Sequence, residues 1–159
     1  MQELVIARAG DRLLGLASSE VAEIFAPRSV TALPEPFPYL AGAIFRMGRL
    51  ITVVSTYSLI SGGKPDVSAR ALLARLSAPR ENIALSLDCV DAMTPYNELD
   101  LKENGSGPLW AGLYPWGEQW VSVLNVAAAC ALLNSAVAEG QAWGRPRAPI
   151  TRLTKETGG

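Results

Sequence analysis

Short apolar runs of four to seven residues recur along the chain, separated by Gly, Pro, Asn or Ser. In the first half, residues 4–7, 13–16, 30–33, 41–45 and 50–54 have the length and composition of strands. In the second half, 71–76, 83–87, 109–114 and 120–124 do the same. Many short strands with turn signals between them predict an all-β barrel or sandwich rather than layers of helix. Two hairpin turns are legible, Arg46-Met47-Gly48-Arg49 and Trp116-Gly117-Glu118-Gln119, each with a glycine where positive φ is expected. Helices are few. Ser18 or Ser19 can cap a short one in which Val21, Ile24 and Phe25 fall at i, i+3 and i+4, with Glu20 near its start and Pro27 ending it. An alanine-rich helix, apolar nearly all round, is predicted over 126–133 and should stop near Asn134. From 136 to 159 the composition turns to Gly, Pro, Arg and Thr, and a flexible C-terminal tail is expected.

The chain also repeats itself. Residues 40–60 align with 110–130 without a gap at an offset of 70, so that Leu40-Ala41-Gly42 matches Trp110-Ala111-Gly112. Ile51-Thr52-Val53-Val54-Ser55 likewise matches Val121-Ser122-Val123-Leu124-Asn125. A small residue and glycine, a turn, an alternating strand and a short helix follow one another in both copies. Two small β units, at roughly 10–69 and 80–135, therefore read as fused into one domain over 1–135. Two amphipathic hairpins can also look alike by chance, and the matched glycines Gly42 and Gly112 offer the structural test.

Composition narrows the chemistry. Of 159 residues, 49% are hydrophobic, which is enough for one compact core, and only 18% are charged, below the usual ~25%. The net charge is −1, which leaves no footprint for non-specific binding of nucleic acid or anionic membrane. Histidine is absent, so the commonest general base and the commonest metal ligand are both missing. Cys89 and Cys130 are too few for a metal cage or a disulfide framework and read as reduced, buried packing residues. No phosphate-binding glycine loop and no Gly-x-Ser-x-Gly is present. Asp88, Asp91, Glu98, Asp100 and Glu103 do cluster, and a carboxylate-dependent hydrolase using Asp88/Asp91 or Glu98/Asp100 is the enzymatic alternative. Glu98 to Glu103, however, sit in a stretch that reads as an exposed loop. No catalytic residue, cofactor or metal is assigned. Neither a signal peptide nor an apolar run long enough to span a bilayer is apparent, so a cytoplasmic protein is expected.

Charge placement adds to this picture. Residues 1–80 hold nine basic and six acidic residues, whereas 81–135 hold one basic and seven acidic. Such polarity suits head-to-tail contact with a similarly built partner; it also simply keeps a protein soluble.

The order of motifs resembles a known family. Glu20-Val21-Ala22-Glu23-Ile24-Phe25, Val30-Thr31-Ala32-Leu33-Pro34, Pro38-Tyr39-Leu40-Ala41-Gly42-Ala43-Ile44, an Arg-x-Gly-Arg turn and Leu50-Ile51-Thr52-Val53-Val54 follow in one sequence. With Ile83–Val90 and 109–134 in the second half, that order and spacing are similar to the CheW family of chemotaxis coupling proteins. The resemblance implies two small five-stranded SH3-like β-barrels sharing a core, with a few short helices and no catalysis. It implies an adaptor bridging the cytoplasmic tip of a chemoreceptor and the regulatory domain of a CheA-type histidine kinase, in a chemotaxis or pilus-motility-like pathway. Assembly into rings with other CheW-like proteins, and recruitment to membrane-associated arrays without membrane insertion, belong to the same implication.

It also implies partner-binding residues. Val21 and Glu23 would lie on a receptor-facing groove between the barrels, and Phe25, Val30 and Thr31 would also bind partners. The hairpin residues Arg46, Met47, Gly48 and Arg49 complete the set. The family usually carries Asn-Leu-Arg-Gly at this hairpin, and its arginine matters for coupling. Here Phe45-Arg46-Met47-Gly48 puts methionine at that position, and an apolar side chain supplies no guanidinium fork. Arg46, one residue earlier, should point to the other face if strand pairing reaches it. A specialised paralogue that has lost one of its two partners is the alternative this departure raises.

Overall fold

A computed structural model of the chain describes residues 2–34, 37–68, 70–103 and 107–144, with side chains of the last helix described as far as Ala136. Strands β1 (Gln2–Ala9) and β2 (Arg12–Ala17) form a hairpin, and β3 (Val21–Phe25), β4 (Leu40–Arg46) and β5 (Arg49–Val54) lead into helix α1 (Thr56–Ser61). After it come β6 (Leu72–Leu76), β7 (Ile83–Leu87), β8 (Cys89–Tyr96), β9 (Trp110–Trp116), β10 (Gln119–Leu124) and helix α2 (Val126–Gly144). They pair into two five-stranded sheets, ordered β8-β1-β2-β10-β9 and β3-β6-β7-β5-β4.

The repeat is present in register as well as in sequence. In both copies the outer hairpin strand is bulged beside its glycine, between Leu40 and Gly42 against β5 and between Val123 and Leu124 opposite Gly112. In both, the hairpin's second strand runs parallel to a central strand, β5 to β7 and β10 to β2. Thr31 exchanges two backbone hydrogen bonds with Ala43, as Lys102 does with Leu113. Ser55 Oγ caps α1 by accepting from Ser58 N at 3.2 Å, and Asn125 Oδ1 caps α2 by accepting from Ala128 N at 3.0 Å. Chance similarity does not reproduce bulge, bridge and cap together.

The lobes, however, do not divide at 69 and 80. One sheet is built from the contiguous stretch 21–87, and the other joins β1 and β2 to β8, β9 and β10. Each copy thus lends its first two strands to the other's last three. The physical reason lies in β1, β2, β6 and β7, which are apolar on both faces and so must be central strands covered from two sides. In β1, Leu4 and Ile6 face the core of their own sheet with Tyr114, Val121 and Val123, whereas Val5, Ala7 and Ala9 face a shared core. That shared core takes Val54, Leu76, Leu85 and Leu87 from the other sheet, Leu59 from α1, and Cys130 and Leu133 from α2. The second sheet keeps its own small core of Ile44, Ile51, Val53, Leu73 and Ala84.

Several local expectations are corrected. Residues 18–20 form only a 3₁₀ turn, and Val21–Phe25 is strand β3 rather than helix. Its apolar residues satisfy a two-residue period as well, and pairing with β6 decides between the two. Of 30–33 only Thr31 pairs, since Pro27 and Pro34 bracket too short a stretch. The unexpected strand β8 tolerates Pro95 because it is an edge strand, paired only with β1. Helix α2 runs past Asn134 to Gly144, as Ala136-Val137-Ala138-Glu139 are adequate helix formers and Asn134 is occupied in accepting from Arg80. The tail expected over 136–159 is therefore helical through 144, and 145–159 lie outside the described residues. Cys130 is buried as expected, but Cys89 is only partly buried, its Sγ donating to Asp91 Oδ1 at 3.3 Å.

Candidate functional site

On the contiguous sheet, β3 and β4 bring charged residues over an apolar floor. Alternation along β4 turns Ile44 inward and Phe45 outward, and pairing extends to Arg46 opposite Arg49. Arg46 therefore returns to the inner side, where its guanidinium lies 3.7 Å from the Phe25 ring centre. There its Nε and Nη2 donate to Glu23 Oε1 at 3.1 and 2.9 Å. Arg75 Nε, on β6 directly opposite Glu23, donates to Oε2 at 2.9 Å. One carboxylate thus holds two arginines, and the triad keeps one net positive charge. The hydrogen bonds from Arg46 and then Arg75 lower the Glu23 pKa from its ordinary 4.5 to about 2.

The hairpin tip is a tight two-residue turn with φ of +52° at Met47 and +77° at Gly48. Met47 is 87% exposed at the tip, and the guanidinium that meets Glu23 is that of Arg46, one residue earlier. The cross-strand pair Phe45 and Leu50, 77% and 58% exposed, extends an apolar surface from the tip. Between this hairpin and the segment after β3 opens a cleft of about 530 Å³, lined among others by Phe25, Pro27, Arg28, Thr31, Ile44 and Arg46.

Of the residues singled out from sequence, Glu23, Phe25 and Arg46 meet in one contact set, and Thr31 and Met47 line the same cleft. Val21 packs instead against the shared core and Val30 against the small core. Gly48 serves the turn, and Arg49 pairs with Glu81 at 3.0 Å. Arg75, Phe45 and Leu50 were not among the expected site residues. A lone arginine in Leu72-Leu73-Ala74-Arg75-Leu76 was the available signal, since a charge inside an apolar strand needs a partner. Asp88 accepts from Gly10 N at 2.8 Å, and Asp91 pairs with Arg8 at 2.8 Å. Both thus hold strand ends together. Among the described residues no group of three His, Cys, Asp or Glu could hold a metal, and no helix is long and apolar enough to cross a membrane.

A profile of the CheW-like domain family matches residues 3–133. The chain belongs to the CheW-like domain family. Its fold is shared with the scaffolding protein TtCheW from Thermoanaerobacter tengcongensis, at a TM-score of 0.69 and 18% identity, over 79% of this chain and 84% of that one. No curated protein sequence matches it. The two sheets are thus the two SH3-like barrels of a CheW-like domain, a scaffold or adaptor domain of the chemotaxis type.

Within this CheW-like fold the second lobe supplies a control for the first. Matching the two registers, bulges included, sets Glu23 against Ala92, Arg75 against Ile6 and Arg46 against Trp116. In the second lobe those three positions are apolar, with Ile6 buried and Ala92 and Trp116 packed on the same cluster. The fold therefore does not need the ionic triad. Replacing partly buried ion pairs by apolar contacts is commonly neutral or stabilising, so charges confined to one lobe point to a surface in use.

Charge follows the lobes. Residues 21–87 hold seven basic and four acidic residues, whereas 2–20 and 88–124 together hold three basic and nine acidic.

Proposed function

We propose that this chain is a non-enzymatic cytoplasmic adaptor that couples a chemoreceptor's cytoplasmic tip to the regulatory domain of a CheA-type histidine kinase. The observation that carries the reading is the Glu23–Arg46–Arg75 triad, present in one lobe and replaced by apolar packing in the other. A net-positive lobe beside a net-negative one suits a partner built on the same two-lobe plan, which the family resemblance gives to the kinase regulatory domain. Ring assembly with other CheW-like proteins uses the same complementarity.

Titration of the purified chain against the two partners separately tests this. Binding to both is expected for a coupling protein, and binding to neither would remove the function. Binding to one would favour the second reading, a paralogue specialised for a single partner, which the exposed Met47 motivates. In that case Met47→Arg should strengthen binding to the receptor tip; unchanged affinity would sink the second reading.

A further inference from the structure

The lobe comparison also shows what the cleft lacks. In the second lobe the position matching Ile44 is Tyr114, and Tyr96 stands two residues beyond Thr94 as Pro27 stands two beyond Phe25. Tyr96 and Tyr114 pack edge to face, with ring centres 5.1 Å apart, and are almost fully buried. The Tyr114 hydroxyl donates to Pro95 O at 3.2 Å and accepts from Asn97 N at 3.2 Å, which ties the loop after the edge strand to the barrel. The matching backbone groups in the first lobe, the Ala26 carbonyl and the Arg28 N–H, have no partner among the described residues. The space that one lobe fills with its own tyrosine is open in the other.

We propose that this cleft receives a partner's aromatic side chain, tyrosine above all, carried on a peptide segment with flanking carboxylates. The ring would cover Ile44 and Pro27, and a phenolic hydroxyl would meet the Ala26 and Arg28 backbone as Tyr114 meets Pro95 and Asn97. The carboxylates answer the two uncompensated charges at the rim. Arg28 is exposed without an ion pair among the described residues, and the triad leaves a second positive charge. The inference rests on the adaptor reading only in taking the ligand to be a segment of another protein.

The test is an amide-resonance titration of the full chain with the synthetic peptide Glu-Glu-Tyr-Glu-Glu, capped at both ends. The alanine version of that peptide and one flanked by lysines serve as controls. Saturable shifts confined to the amides of Phe25, Arg28, Thr31, Ile44 and Arg46, absent with both controls, are expected. Ile44→Tyr, which copies the plugged lobe, should abolish them, and the exposed Arg28→Glu should weaken binding about tenfold. Shifts elsewhere, equal response to the lysine peptide, or no saturation at millimolar peptide would overturn the proposal. The same two variants, titrated with the kinase domain and receptor tip, separate the readings. Partner binding that neither variant changes would defeat the cleft proposal and leave the adaptor standing. Peptide binding without either partner would do the reverse.

Discussion

Neutralising Glu23 isolates the energetics of the site. In Glu23→Gln, Arg46 and Arg75 keep their places but lose the shared charge that receives three hydrogen bonds of 2.9–3.1 Å. The Glu23 side chain is 24% exposed and those of Arg46 and Arg75 are 36% and 18% exposed, so screening is partial. Charge-assisted hydrogen bonds buried from water contribute ~1.5–3 kcal/mol each, and exposed ion pairs ~0.2–1. A half-buried triad sharing one carboxylate falls between, and a loss of about 1–2 kcal/mol is expected. For a domain of this size that lowers Tm by roughly 3–8 °C in a thermal melt followed by circular dichroism. The compensated variant Glu23→Ala/Arg46→Trp/Arg75→Ile copies Ala92, Trp116 and Ile6 of the other lobe. It should recover to within about 1 kcal/mol of the native chain while losing partner binding. A single-variant shift below about 1 °C would show the triad to be a solvated ornament. A triple variant no better than the single would show that the two lobes are not interchangeable there.

Further expectations follow from the same geometry. A Cβ at Gly42 would overlap the Thr31 carbonyl, and one at Gly112 would come within 2.6 Å of the Lys102 carbonyl. Gly42→Val and Gly112→Val should each cost about 3 kcal/mol or more in denaturant unfolding, whereas Gly48→Asn, with open space around it, should cost under about 1. Two neutral valine variants would contradict the matched bulges. Because the Glu23 pKa is lowered in the fold, its contribution is complete above about 4.5 and lost as pH falls toward 2. A carboxyl carbon titration should therefore place its midpoint near 2, moving up in Arg46→Gln; a native midpoint at 4–5 would refute the ion pairing.

The sequence held much of this in legible form, and the failures have causes. Hairpins, central strands and the offset of 70 could be read because glycine turns and apolar runs are local signals. β3 is ambiguous in sequence, because five residues with Val21, Ile24 and Phe25 apolar fit both periods and only β6 breaks the tie. The strand exchange left no local mark: it depends on which central strands need covering on both faces, a property of the assembled sheets. The site was half visible. Glu23, Phe25 and Arg46 belong to the ordered motifs. Alternation along β4 turns Arg46 to the face on which Glu23 lies. Arg75, 52 residues from Glu23 in the chain, becomes its neighbour only through the β3–β6 pairing.

Duplication explains why such a site can be built at little cost to the fold. The exchange of strands makes the shared core depend on both copies, with β1, β2, β6 and β7 all contributing to it. The outer ends of the lobes are then relieved of the main stabilising task, and the two ends have diverged. One closes itself with Tyr96, Tyr114 and Trp116 and needs no partner at that position. The other has Pro27, Ile44 and Arg46 in place of those aromatics, and a cleft opens there. A single barrel that opened its end in this way would lose much of a core holding only Ile44, Ile51, Val53, Leu73 and Ala84. Backed by the shared core, the open lobe stays folded, and the proposed binding surface rests on this asymmetry between two copies of one β unit.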